Sequence, residues 1–201
     1  MSLSSYCMAS EVEADVAGGA APAEGLSWFV MRDLKRPNAK VPAYCQLQQA
    51  GFEVFTPMTT RIAIRGGRRV REQVPFVRDL LFVHTTRESL DPIVSHTATL
   101  QYRYVKGGRY CEAMTVREAE MERFIFAVSG MERPRFYKIE EITPSLYGRR
   151  IRIVGGRLDG YEGRLVTTRG SRTRRLLITL EGLLAADVEV QPEYIRFLSD
   201  E

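Results

Sequence analysis

Apolar positions recur along this chain with two spacings, two residues and three-to-four residues, and these predict its elements. In Ser27–Arg32, Trp28 and Val30 would face one side of a strand, Phe29 and Met31 the other. Two apolar faces predict a central strand, covered on both sides. Val41, Tyr44, Cys45 and Gln48 fall at i, i+3, i+4 and i+7, which predicts a helix over Val41–Gln49. Pro42 stands in its first turn, where a missing N–H does no harm, and Gly51 stands where a glycine closes a helix. A strand over Phe52–Pro57 follows at once, so the first unit is strand–helix–strand.

Between Arg61 and Val74, Ile62 and Ile64 alternate with arginines, Gly66-Gly67 makes a tight turn, and Arg68-Arg69-Val70-Arg71 returns. That is a hairpin signal. Leu80-Leu81-Phe82-Val83 is a continuous apolar run and predicts a buried strand; a short helix or loop spans Arg87–Ser95, and a last strand Thr99–Val105. Thr115-Val116-Arg117-Glu118 has the spacing of a capping box. The stripe Met121, Phe124, Ile125 and Val128 then predicts a helix with a core-facing side, ended by Gly130. Met131–Ser145, with Pro134 and Pro144, has no period and is expected to be a linker. Beyond it, Ile151 and Ile153 alternate with arginines, and Gly155-Gly156 ends that strand. The loop Leu158–Gly163 leads into a strand to Thr167. A basic loop Arg169–Arg175 precedes further strands at Leu176–Leu180, Asp187–Val190 and Tyr194–Leu198.

Composition narrows the class. With 44% hydrophobic and 27% charged residues, the 201-residue chain has an ordinary globular balance and room for one large or two small domains. No apolar run approaches the ~18 residues of a membrane span, and no secretory signal is visible, so a cytoplasmic location without membrane contact is expected. Residues 1–25 are rich in Ala, Gly, Ser and acids and predict a disordered leader. Cys7, Cys45 and Cys111 form no CxxC pair, and His84 and His96 belong to no ligand pattern. Neither a disulfide framework, a metal site nor a cofactor is expected.

The net charge is +4, and the leader contributes four acids and no base up to residue 26, so the remainder carries +8. Nearly all of the excess is arginine, whose planar fork suits phosphate and carboxylate partners. Arg61–Arg78 holds six arginines and one acid. This stretch is either a solvated face or a basic finger, on which Arg65, Arg68, Arg69 and Arg71 would neutralise phosphates. No aromatic residue is interleaved with them, so base stacking is not indicated.

The string Gly148-Arg-Arg-Ile-Arg-Ile-Val-Gly-Gly-Arg-Leu-Asp-Gly-Tyr-Glu-Gly-Arg-Leu-Val166 resembles the KOW motif of NusG-type transcription factors and some ribosomal proteins. Upstream, Ser27–Arg32, Phe52–Met58 and Val74–Val83 resemble, in order, the opening strand, second strand and central segment of the NusG N-terminal domain. The resemblance implies an α+β fold. A NusG-type domain over 26–130, a four-stranded antiparallel sheet flanked by helices, would be joined by a linker over 131–146 to a KOW SH3-like β-barrel over 147–201. The second half of that barrel, with Leu-Ile-Thr-Leu-Glu-Gly-Leu and Pro-Glu-Tyr-Ile, is similar to the UpxY group of NusG paralogues, antiterminators of capsular polysaccharide operons in Bacteroides-type bacteria.

What the resemblance implies about partners follows residue by residue. An apolar depression that binds the clamp helices of the largest RNA polymerase subunit would include Val77, Leu80 and Phe82, with Phe55 added as a neighbour. Where the family usually has Pro, a small residue and Tyr, this chain has Arg78, Asp79 and Leu80. Leu158, Gly160, Tyr161 and Gly163 would form the barrel surface that takes Rho or ribosomal protein S10, and non-template DNA or nascent RNA would lie nearby. The residues themselves contain no P-loop, no G-x-S-x-G and no H-E-x-x-H, so a binding protein is expected and not an enzyme. The competing reading is a ribosome-associated or general RNA-binding KOW protein, binding through Arg169–Arg175.

Overall fold

The computed structural model describes residues 25–35, 41–130, 134–144, 146–166, 173–180 and 182–198. The expected leader and most of the basic loop after Val166 lie outside them. A first antiparallel sheet is built on β1 (Ser27–Asp33), which lies between β5 (Leu81–Thr85) and β6 (Leu100–Tyr102); β2 (Glu53–Phe55) pairs with the far edge of β5. The two-sided apolar pattern of β1 lands as expected. Phe29 and Met31 pack with Ala43 and Leu47 of helix α1 (Ala43–Gln49) and with Leu90 of helix α2 (Arg87–His96). Trp28 and Val30 pack on the opposite face with Met121 and Phe124 of helix α3 (Glu118–Ser129).

Two local expectations are corrected here. Pro42 precedes α1 as its N-cap, and Asp33 Oδ2 accepts from the Ala43 N–H at 2.8 Å, supplying the missing cap from ten residues away. Thr115 does not open a capping box. Thr115–Val116 forms β7, paired with Phe29 and Trp28 of β1, and α3 begins two residues later with Arg117 as N-cap. Burying Val116 against the sheet, together with the bond from Val30 N–H to Met114 O at 2.9 Å, outweighs the one bond a Thr cap would add. β7 is thus a fifth strand on this sheet.

Among the described residues β3 (Met58–Arg65) and β4 (Arg68–Pro75) pair only with each other, over eight residue pairs. Their turn, Gly66-Gly67, has φ of +56° and +75°, the paired positive values that a two-residue hairpin turn needs. A six-stranded antiparallel sheet takes up the rest, in the order β13-β9-β10-β11-β12-β8. It comprises β8 (Arg135–Lys138), β9 (Tyr147–Ile153), β10 (Glu162–Val166), β11 (Arg174–Leu180), β12 (Leu184–Val190) and β13 (Ile195–Phe197). β8 falls inside the stretch read as a linker. It pairs with β12 over four residues, because Phe136 and Tyr137 have apolar and polar partners waiting on that sheet.

Asp187 is fully buried in β12, where Arg175 Nε and the Tyr137 hydroxyl both donate to it at 2.7 Å. Burial, followed by this bond to Asp187, pushes the Tyr137 phenol up to about 12. β8, β11 and β12 are therefore tied through one carboxylate.

The buried core does not divide at the linker. Trp28, Val30 and Phe82 of the first sheet with Leu80 just before β5, Met121, Phe124, Ala127 and Val128 of α3, and Ile151, Leu176, Leu184 and Val188 of the second sheet belong to one apolar cluster. α3 is the shared wall between the two sheets.

Candidate functional site

Phe55, Val77, Leu80 and Phe82 come together on the α3 side of the first sheet. The Phe55 ring lies 6.1 Å from Phe82 and 6.2 Å, edge-on, from Phe124 of α3. Leu80 is 2% exposed and Phe82 not at all, while Phe55 and Val77 are half-buried at the cluster's margin. Of the four, only Phe55 and Val77 present surface to a partner. Phe76, beside Val77, lies against Phe136 of β8 with ring centroids 5.8 Å apart, so the second unit reaches to the edge of this surface.

The departure at Asp79 has a local reason. Its carboxylate lies 3.4 Å from Arg32 and 3.3 Å from Arg103, tying the turn before β5 to β1 and to the residue after β6. Each such part-exposed pair contributes about 1 kcal/mol at most.

Leu158 and Tyr161 also sit in the shared core. The Tyr161 hydroxyl donates to the Arg123 carbonyl at 3.0 Å, and the Arg123 guanidinium lies 4.8 Å over the Tyr161 ring. Phe126 stacks on Tyr161 at 6.5 Å, and Arg157 lies 4.6 Å over Phe126 while donating to its carbonyl at 3.3 Å. The result is a four-layer stack of Arg157, Phe126, Tyr161 and Arg123, alternately supplied by the loop and by α3. Burial raises the Tyr161 phenol above its usual range, against the opposing pull of Arg123.

Two glycines leave room for close neighbours, Gly130 for Arg157 of the stack and Gly163 for the β11 backbone. A Cβ on Gly130 would fall 1.7 Å from the Arg157 guanidinium carbon, and one on Gly163 would fall 2.3 Å from the Leu177 carbonyl oxygen. Gly160 differs: a Cβ there would meet nothing within 4 Å, while its N–H donates to the Ile153 carbonyl at 2.9 Å and its carbonyl accepts from Arg123 at 3.4 Å. A cleft of about 780 Å³ opens beside the stack, lined in part by Gly130, Arg157, Leu158, Glu189 and Tyr194.

The candidate phosphate-binding arginines divide by strand register. Arg65 stands on the ribbon face that also carries Arg61 and Glu72, and both arginines are paired to Glu72. Arg65 first, then Arg61, holds the Glu72 carboxyl below its usual range. Arg69 and Arg71 stand on the opposite face, Arg68 at the turn, and none of these three has an ion pair among the described residues. Ile62 and Ile64, which are 65% and 75% exposed, share the face of Arg69 and Arg71. The alternation that marks the hairpin puts these isoleucines on one face, but only the unpaired ribbon leaves that face at the surface.

In the second sheet most arginines are engaged. Arg152 and Arg150 lie 2.8 and 3.6 Å from Glu162, Arg149 covers the Phe197 ring, and Arg175 is buried against Asp187. Arg175, expected in a basic loop, is thereby a strand residue holding a carboxylate. Among the described residues no group of three His, Cys, Asp or Glu could hold a metal, and no helix is long and apolar enough to cross a membrane.

An apolar surface half-covered by its own chain and a basic ribbon with one unengaged face are the features of a binding protein, here one with an α+β fold. Residues 26–125 match the family model described as "Transcription termination factor nusG", so the chain carries a NusG-family domain. Members of that family are non-enzymatic transcription factors that bind RNA polymerase. A solved structure described as "Domain interaction in Thermotoga maritima NusG" is similar at 17% identity with a TM-score of 0.45, over 87% of this chain and 98% of that one. A comparison with curated proteins gives no match.

Proposed function

We propose that this protein is a transcription elongation or antitermination factor that binds the clamp helices of the largest RNA polymerase subunit and suppresses pausing or termination. The observation that carries the reading is the NusG-family domain at 26–125 with Phe55 and Val77 half-exposed over Phe82 and Phe124. Phe55 and Val77 make the contact, and Leu80 and Phe82 support it from beneath. A clamp held by a ligand that prefers its closed form is a population shift, limited by the difference in affinity between the two forms.

The 147–201 region acts as a KOW SH3-like barrel. Its loop of Leu158, Gly160, Tyr161 and Gly163 takes Rho or ribosomal protein S10 after leaving α3, since Leu158 and Tyr161 are buried while docked. The leucine-rich second half supports service of a polysaccharide operon of the UpxY type. The general RNA-binding alternative loses Arg175, which is held by Asp187.

The test is retention of purified bacterial RNA polymerase by the full chain at low and moderate salt. Because the contact is mainly apolar, retention is expected at both salts, and Val77→Asp should abolish it while leaving the circular dichroism spectrum unchanged. A charged residue at Phe82 would be uninformative, since burying it disrupts the fold itself. Absence of retention at either salt would overturn the polymerase reading.

A further inference from the structure

The ribbon β3–β4 is the one two-stranded sheet among the described residues that pairs with nothing else, and its two faces differ in chemistry. On one face Arg61 and Arg65 share the single carboxylate of Glu72, beside Ala63, Val70 and Arg68. On the other, Thr60 and Gln73 bond each other at the base at 3.2 Å, followed outward by Ile62 opposite Arg71 and Ile64 opposite Arg69. That face holds two exposed isoleucines and two guanidiniums without an ion pair among the described residues, and no acid. Large exposed apolar side chains grouped on a projecting element mark a contact surface.

The charge selects a polyanion, and the geometry selects which one. A single-strand platform needs aromatic side chains for stacking, and residues 58–75 contain none. The major groove of B-form DNA admits a two-stranded ribbon, whereas that of A-form RNA is too deep and narrow. Ile62 and Ile64 lie two residues apart, roughly 7 Å along the strand, which is about two base-pair steps. Apolar side chains at that spacing match thymine methyl groups on the groove floor, while Arg69 and Arg71 reach the phosphates.

We infer that the Ile62–Ile64–Arg69–Arg71 face of the ribbon is a docking surface for duplex DNA, with the isoleucines on thymine methyls and the arginines on backbone phosphates. Arg65 is not part of it. The proposal goes beyond the polymerase reading and does not depend on it, since naked DNA is the probe.

The experiment is fluorescence anisotropy of the full chain with a short labelled A·T-rich DNA duplex, its single strand, the equivalent RNA duplex, and a DNA duplex with uracil replacing thymine. The DNA duplex should bind tightest. Arg69→Ala/Arg71→Ala should lower the slope of log affinity against log salt by about 2, close to one unit per lost phosphate contact. Ile62→Ser/Ile64→Ser should weaken binding several-fold without changing that slope, and should abolish the preference for thymine over uracil. Arg61→Ala, on the face that carries Glu72, should stay within about twofold of the parent, as a surface position outside the contact would.

Equal binding of single strand or RNA duplex would overturn the proposal, as would equal loss from Arg61→Ala and the double arginine variant. Indifference of the isoleucine variant to uracil would overturn the base contact. Absence of DNA binding, with polymerase retention lost in the isoleucine variant, would assign the face to a protein instead.

Discussion

The ribbon β3–β4 and the junction between α3 and the loop 157–163 both bring arginines beside apolar side chains, yet they are opposites in what those residues are doing. At the junction Arg123 and Arg157 lie over aromatic rings and donate to carbonyls, while Phe126 and Tyr161 stack between them. On the ribbon, Arg69 and Arg71 flank Ile62 and Ile64 with no partner of that kind among the described residues. Arginine content alone therefore says little about binding; what matters is whether the chain already provides an acceptor or a ring within reach. Aromatic residues and free carbonyls at a helix end supply those at the junction, and a paired ribbon without aromatics does not.

The sharpest way to test this contrast is at an arginine committed entirely to the fold. Removing the carboxylate with Asp187→Ala takes from buried Arg175 its close carboxylate, leaving Glu189 at 4.0 Å, and leaves Tyr137 without its acceptor. Breaking a buried pair from one side costs about 3–5 kcal/mol, read as a lower urea midpoint; a change near zero would mean that Arg175 escapes to solvent.

At the junction the effect is intermediate. Arg157→Ala should cost about 1 kcal/mol, the sum of a partly exposed cation–π contact and one hydrogen bond. Gly130→Ala displaces the same guanidinium, so the two substitutions should be non-additive in a double-mutant cycle. Additive losses would show that Arg157 does not rest on the end of α3.

On the ribbon the stability effect should be smallest. Ile62→Ser/Ile64→Ser should shift the unfolding midpoint by less than about 1 kcal/mol, because these side chains bury little. A larger loss would mean that they pack within the protein, which would remove them as a contact surface.

Much of the first sheet was legible because Trp28, Phe29, Val30 and Met31 declare a strand with two covered faces, and only a central strand can satisfy that pattern. The ribbon turn was legible for a similarly local reason, since Gly66-Gly67 supplies the two positive φ values. The capping box at Thr115 misled because a local bond competes with long-range pairing, and spacing records only the first. β8 was hidden for the same reason: Arg135–Lys138 has no alternating run of its own and becomes a strand by pairing with β12. Of the candidate site, the grouping of Phe55, Val77, Leu80 and Phe82 could be anticipated. Which of them remain at the surface could not, because Phe124 and Phe136 approach from distant parts of the chain.

The amino-acid sequence by itself determined the order and type of most elements, the helix and turn boundaries marked by Pro and Gly, and the family of the domain at 26–125, all of which depend on periodicity and short-range backbone sterics. Only the tertiary structure decided that α3 joins both sheets in one core, that Arg65 is spent on Glu72 while Arg69 and Arg71 share a face with two isoleucines, and that Arg175 is buried. Those outcomes depend on which side chains meet after the chain has closed long loops. Spacing along the chain does not encode such meetings, whereas pairing register and packing do.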